Sequence, residues 1–143
     1  MTVEPGPAVL WLGLGVVLAI PYILAGRRLG DGGTRWWMLG LIVAALVYVG
    51  FAVARSAPPM AIAFEAGGVF LYGAIAANGL RGDVRWIGAA WLLHPVWDIG
   101  LHHPGGFAYA PTEYVLLCST FDVVVGVYLL LGSMGAVLED TRS

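Results

Sequence analysis

The sequence predicts an all-α membrane protein: one domain over residues 1–143, built as a bundle of five transmembrane helices. Apolar residues make up 59% of the chain and charged residues 11%, whereas a soluble domain carries about 25% charged residues. The mean hydropathy is +0.84. Apolar runs close to the roughly 20 residues that cross a bilayer recur five times, and we expect the spans at 8–26, 36–54, 59–79, 85–102 and 112–135.

The segments between these spans are short and rich in residues that break helices, so no second domain is expected. The first span follows no basic segment and ends in Arg27 and Arg28 without a cleavage site, which favours a retained helix over a secretory signal. Small residues four apart recur in the first three spans and allow close helix packing, within the bundle or in a homo-oligomer. These pairs are Gly15/Ala19, Gly40/Ala44, Ala63/Gly67 and Gly73/Ala77.

The arginines predict the orientation of the bundle. Only Arg55 falls on one side of the predicted membrane, and the other six fall on the opposite side: Arg27, Arg28, Arg35, Arg81, Arg85 and Arg142. The positive-inside rule then places the N-terminus outside and the C-terminus in the cytoplasm. We expect a multi-pass protein of the cell membrane, in a bacterium the inner membrane, in contact with lipid. The net charge of −2 excludes the basic surface that binds nucleic acid.

Four ionisable residues lie well inside the predicted spans: Glu65, His94, Asp98 and Asp122. Each carboxylate at the centre of a membrane costs about 2.5–3.5 kcal/mol unless it is compensated. No arginine lies in the interior of a span, since Arg85 is the first residue of the fourth one, and the chain has no lysine. The compensating positive charge must therefore come from protons, an imidazolium or a bound metal.

The depths of these residues indicate that they are able to meet. At about 1.5 Å per helical residue, Glu65 is level with Asp98 and His94 is level with Asp122, and all four fall within about 8 Å of depth. This band lies toward the outer side of the membrane, where His102 ends the fourth span and His103 follows it.

The fourth span carries the densest polar pattern, with His94, Asp98 and His102 at positions i, i+4 and i+8 on one helical face. Pro95 frees the carbonyl of Trp91 and favours a kink beside His94. Metal sites in helical bundles take ligands at such spacings from facing helices, and imidazole and oxygen ligands suit zinc, iron or manganese. A kinked core helix with paired polar side chains is the alternative.

We therefore predict a divalent transition metal, zinc or iron, bound by His94, Asp98, His102 and Asp122. Glu65 and Asp122 are the predicted catalytic residues, with Glu65 as general base toward a water on the metal. The single cysteine, Cys118, offers no cysteine-based zinc site. It and Ser119 are interpreted as small packing residues, with a nucleophilic role as the alternative.

Two resemblances accompany this pattern. The His94-Pro-x-Trp97-Asp98 helix resembles short bacterial integral membrane proteins of unknown function over the fourth and fifth spans, which implies no activity. The set His94, Asp98, His102, Ser119 and Asp122 is similar in kind to that of intramembrane metallohydrolases of the alkaline ceramidase type, which implies metal-dependent hydrolysis.

Three functions agree with these observations. The favoured one is a metal-dependent membrane enzyme, a hydrolase or oxidoreductase, acting on a lipid or another hydrophobic small molecule. A proton-coupled carrier or relay would use the same ionisable residues without a metal. A structural or accessory membrane subunit would need a partner helix.

Overall fold

The structure, a computed structural model, describes residues 5–102 and 106–140. They form five α-helices: α1 Pro5–Arg28, α2 Gly33–Ala54, α3 Pro59–Gly79, α4 Arg85–His102 and α5 Thr112–Asp140. A short 3-10 helix, Gly30–Gly32, joins α1 to α2. Two residues used in the sequence analysis lie outside the described residues. They are His103, predicted at the outer end of the fourth span, and Arg142, one of the six arginines on the predicted cytoplasmic side.

The observed bounds of α3 and α4 agree with the predicted spans, but four other boundaries differ. Helix α1 begins at Pro5 and continues to Arg28, α2 already begins at Gly33, and α5 continues to Asp140. Glycines that were expected to form a loop instead allow the helix ends to approach. A Cβ at Gly26 would lie 2.1 Å from a ring atom of Trp37. Among the glycines of this connection, Gly30 has a φ of 53°, in the left-handed region that glycine favours.

Helix α5 packs between α1 and α4, α3 packs between α4 and α2, and a smaller contact between α1 and α2 completes the bundle. Of the small-residue positions, Gly15 lies so close to α5 that a Cβ would come 2.1 Å from Thr120 Oγ1. Gly40 lies against the ring of Tyr22, whereas Gly67 and Gly73 have open space around them. The first two therefore serve packing inside the bundle, and the homo-oligomer stays a prediction.

Four of the five described helices are long and apolar enough to cross a membrane; α4 is the exception. Its hydropathy is low because it carries polar residues, but His94 and Asp98 lie on the side of the helix that faces the bundle. His94 and Asp98 are buried, while Val96 and Ile99 on the opposite side are 65% and 58% exposed. Helix α4 is thus polar toward the bundle and apolar toward the surroundings.

The two ends of the bundle differ in their connections. One end, here called the Arg55 end, carries the α2–α3 turn and the segment before α5. The opposite end, here called the Arg28 end, carries the α1–α2 and α3–α4 connections. Between His94 and the Arg28 end lies the main apolar core, in which Trp91 donates its indole N–H to the carbonyl of Trp37 at 3.1 Å.

Candidate functional site

The four ionisable residues predicted inside the membrane are all buried. Glu65 is 3% exposed, His94 is 1% exposed, and Asp98 and Asp122 are fully enclosed. None of them points toward the outer surface of the bundle, although they come from three different helices. All four side chains therefore face the interior of the bundle.

His94 of α4 and Asp122 of α5 form the shortest of these contacts. The Nδ1 atom of His94 lies 2.7 Å from Oδ2 of Asp122, within normal hydrogen-bond distance. The carboxylate only accepts when it is ionised, so the Nδ1–H of His94 then donates to it. This pair fixes the imidazole and crosses the α4–α5 interface, where glycines at positions 88 and 126 allow the two helices to pack closely.

Two further side chains complete a compact group. Asp98 lies one turn beyond His94 on α4, with its Oδ2 at 3.7 Å from His94 Nδ1. Cys118 lies one turn before Asp122 on α5 and donates its thiol to Asp122 Oδ2 at 3.5 Å. Each of the four residues offers one ligand atom, and these atoms all lie within 4.8 Å of one another. We call His94, Asp98, Cys118 and Asp122 the central group.

Three carboxylate oxygens of the central group have no hydrogen-bond partner in the described ranges. Both oxygens of Asp98 and Oδ1 of Asp122 are buried and accept no hydrogen bond in the described part of the chain. Buried polar atoms are normally satisfied, because leaving one unpaired costs about 1–3 kcal/mol and more when it is charged. Three open carboxylate oxygens in one enclosed place indicate a site that is complete only with a cation or protons.

Two tyrosines from α2 and α3 enclose this place. The hydroxyl of Tyr48 faces Asp98 and Cys118, and it and the hydroxyl of Tyr72 have no hydrogen-bond partner among the described residues. The ring centroid of Tyr72 lies 5.1 Å from that of His94 in an edge-to-face contact. The phenol rings of Tyr48 and Tyr72 therefore border the central group, and both hydroxyls are free to donate a hydrogen bond.

A second polar set lies nearer the Arg55 end. Glu65 of α3 has its Oε1 at 3.1 Å from Nε2 of His102, although the geometry is that of an ion pair and not of a straight hydrogen bond. Tyr109, in the segment before α5, donates its hydroxyl to the same Oε1. We call Glu65, His102 and Tyr109 the outer triad.

The proton positions in the outer triad follow from its partners. The Nδ1 atom of His102 lies 2.8 Å from the carbonyl oxygen of Phe107, which only accepts, so Nδ1 carries a proton. Nε2 then faces a carboxylate oxygen, and a proton must lie on one of the two atoms. Burial and the hydrogen bond to Glu65 raise the pKa of Tyr109 above its usual range, so this phenol stays neutral and donates.

One aromatic ring joins the two sets. Tyr48 stacks on His102 with ring centroids 5.0 Å apart and also meets His94 edge to face at 5.6 Å. Beyond the outer triad, a cavity of about 510 Å³ opens at the Arg55 end and has Tyr109 in its wall. The polar residues therefore follow one another from this cavity to the central group, whereas apolar packing lies between that group and the Arg28 end.

The arrangement partly matches the predicted pairing. His94 and Asp122, placed at the same depth, are in contact. Glu65 was placed level with Asp98 but lies against His102, one helical turn farther along α4. The central group contains three of the four predicted metal ligands, His94, Asp98 and Asp122, and its fourth member is Cys118. His102 lies in the outer triad instead, against Glu65. The position of Cys118 four residues before Asp122 was the available signal.

Comparison with known proteins gives a family without an assigned activity. No curated protein matches this chain. No solved structure matches it either. One family matches residues 13–135, which cover all of α2, α3 and α4 and most of α1 and α5. The match therefore extends beyond the fourth and fifth spans, where the resemblance to membrane proteins of unknown function was seen. The chain belongs to this family, described as a family of unknown function (DUF6010).

Proposed function

We propose that the protein is a multi-pass membrane metalloprotein in which the central group binds a divalent transition metal. The observation that carries this proposal is the set of three buried carboxylate oxygens without hydrogen-bond donors, beside an imidazole and a thiol. Two ionised carboxylates in a low-dielectric interior need two positive charges nearby. A divalent cation supplies both charges, and the open carboxylate oxygens are suitable ligands for it.

Zinc is the metal that suits the donor set best. Zinc accepts thiolate, imidazole and carboxylate ligands and favours four of them, and the central group offers one thiol, one imidazole and two carboxylates. Iron is the second candidate, because imidazole and carboxylates also hold non-haem iron. A bound thiol loses its proton, and the hydroxyl of Tyr48, which faces Cys118 and Asp98, is positioned to donate to the added negative charge.

We place all five helices across the membrane, although α4 is less apolar than the others. Its polar residues face the bundle and its outward residues are apolar, as expected of a helix surrounded partly by protein and partly by lipid. The arginines then favour a C-terminus in the cytoplasm and the Arg55 end outside. In a bacterium this membrane is the inner membrane.

For the activity, we propose a metal-dependent enzyme, a hydrolase or an oxidoreductase, acting on a lipid or another hydrophobic small molecule. A metal held by three of the four residues of the central group would keep one coordination position open, where it would supply Lewis-acid chemistry and lower the pKa of a bound water. Asp122 holds the imidazole of His94 in place. Glu65, the proposed general base, accepts from Tyr109 and pairs with His102 between the cavity and the central group. It is placed to move protons between them.

A proton relay that uses the same residues is the second candidate, and the sequence of polar contacts from Tyr109 inward favours it. A relay must continue to the opposite membrane face. Apolar and aromatic side chains, including Trp37, Trp91 and Val125, fill that part of the described structure. This packing favours a site with access from the Arg55 end alone.

Elemental analysis of the detergent-purified protein tests the proposal. We expect close to one zinc or iron per chain in the wild type, and loss of most of it in His94→Ala and in Asp98→Ala. Asp83→Ala is the control, because Asp83 is exposed and paired with Arg85 outside the site. A folded wild type without metal, whose stability does not respond to chelator, would rule the metal out. Acid-driven proton flux in liposomes would then favour the relay.

A further inference from the structure

The cavity at the Arg55 end has the size and position of a ligand site. Its volume is about 510 Å³, within the range of about 300–1,000 Å³ that is typical of small-molecule sites. Two segments form it, the α2–α3 turn from Arg55 to Pro58 and the segment from Gly106 to Tyr109. Both segments lie at the end of the bundle, where a molecule in the adjacent membrane surface is able to reach them.

One unpaired cation lines this cavity. The guanidinium of Arg55 forms no hydrogen bond or ion pair with any described residue, and the nearby Glu65 is already engaged by His102 and Tyr109. The other arginines of the described residues lie toward the Arg28 end. A guanidinium presents a planar fork of N–H donors that suits the oxygens of a phosphate or carboxylate. The charge of the cavity therefore favours an anionic group.

The cavity continues into an apolar surface. Phe107, which lines it, meets the ring of Phe64 on α3 with centroids 6.2 Å apart. Phe64 is 46% exposed, and Met60, one helical turn earlier, is 64% exposed. Residues four apart lie on one helical face, so these side chains form an apolar track that leads away from the cavity along the outside of α3.

The floor of the cavity leads to the buried polar residues. Tyr109 lines the cavity and is only 8% exposed, and its hydroxyl contacts Glu65 behind it. A group seated beside Arg55 would therefore be separated from Glu65 by the side chain of Tyr109 alone. The second cavity, at the Arg28 end, has Arg27 in its lining but no histidine or carboxylate.

We propose that the cavity at the Arg55 end binds the anionic head group of an amphiphilic molecule. Arg55 binds the phosphate or carboxylate oxygens, and Met60 and Phe64 hold the start of the apolar chain. As the identification of a substrate class, this inference rests on the proposed function. The binding itself does not depend on a metal.

Native mass spectrometry of the full-length protein with defined lipids tests the site. The probes are dioleoylphosphatidylglycerol, which is anionic, and dioleoylphosphatidylcholine, which is zwitterionic. We expect the wild type to prefer the anionic lipid by about tenfold, in line with one charge-assisted contact. Arg55→Gln should abolish this preference. Arg81→Gln is the matched control, because Arg81 is exposed and lines neither cavity.

Soluble glycerol phosphate distinguishes a free phosphate from a lipid head group. We expect it to displace the anionic lipid only at concentrations at least about tenfold higher, because it lacks the contacts of the apolar chain. Phe64→Ala should weaken binding of the lipid and leave binding of glycerol phosphate unchanged. Equal displacement, equal retention of both lipids, or equal loss in the Arg55 and Arg81 variants would each overturn the proposal.

The metal content of the same samples separates the two proposals. Metal without lipid preference would overturn the head-group site and leave the metal site standing. Lipid preference that depends on Arg55, in protein free of metal, would support the head-group site and contradict the proposed function.

Discussion

His94 Nδ1 lies 2.7 Å from Asp122 Oδ2, and this contact joins α4 to α5 inside the bundle. It commits one oxygen of Asp122 and leaves the other without a donor. Asp98, one turn away, accepts no hydrogen bond at either oxygen within the described residues. The contact thus holds an imidazole beside two carboxylates that have three oxygens free to bind a cation.

The hydroxyl of Tyr48 gives the first prediction. It faces both Asp98 and Cys118, so Tyr48→Phe should lower metal affinity by about tenfold or more, as expected for the loss of a donor behind the ligands. Competition with a chelating dye measures this affinity. Tyr22→Phe is the control, because that hydroxyl donates to the carbonyl of Trp36. An equal loss of affinity in both variants would argue against a role of Tyr48 at the metal.

The outer triad gives the second prediction. Tyr109→Phe removes a donor from the buried carboxylate of Glu65, which should lower the free energy of unfolding by about 1.5–3 kcal/mol. Denaturation in detergent measures this loss. The control is Tyr128→Phe, since the Tyr128 hydroxyl makes no hydrogen bond within the described residues, and we expect a change below about 0.5 kcal/mol.

A double variant tests whether Tyr109 acts through Glu65. In Glu65→Gln the charge that Tyr109 stabilises is absent, so adding Tyr109→Phe should cost clearly less than it costs in the wild type, with a coupling of about 0.5–3 kcal/mol. Additive losses would mean that the hydroxyl does not stabilise the protein through this carboxylate.

The sequence predicted the helical class and the burial of the charges for physical reasons. Apolar runs of membrane length must be helical, and a carboxylate inside the membrane must turn toward protein. The place of Cys118 in the central group was not predicted, because a cysteine in a helix is more often a small apolar packing residue than a ligand. Its proximity to Asp98 across the α4–α5 interface depends on the fold.

The tertiary contacts of Glu65 and of the glycines could not be predicted from the spacing of residues in the sequence. Depth placed Glu65 beside Asp98, but the α3–α4 packing brings it to His102 and to Tyr109, a loop residue without a periodic pattern. The glycines at 26 and 33 read as a loop, whereas they allow close helix packing. Such contacts depend on how helices rotate, which residue spacing does not specify.

The close approach of α1 and α5 gives the third prediction. A Cβ at Gly15 would meet Thr120 Oγ1 at 2.1 Å and the carbonyl oxygen of Leu117 at 2.3 Å. Gly15→Ala should therefore lower the free energy of unfolding by about 1–3 kcal/mol. Gly67→Ala is matched in chemistry but has open space around it, so no loss is expected. Equal melting temperatures of the two variants would contradict this packing.

The orientation of the bundle gives the fourth prediction. A reporter that is active only in the cytoplasm should work when it is fused after Ser143 and fail when it is placed within 103–111, because six arginines against one favour that arrangement. The opposite pattern would invert the bundle and place the Arg55 cavity on the cytoplasmic side.

The metal proposal is tested most directly by X-ray absorption at the metal edge of the purified, zinc-loaded protein. We predict one sulfur at about 2.3 Å with nitrogen and oxygen ligands at about 2.0–2.1 Å, and loss of the sulfur alone in Cys118→Ser. Absence of bound metal in the folded wild type, or a shell of oxygen atoms only, would contradict the account.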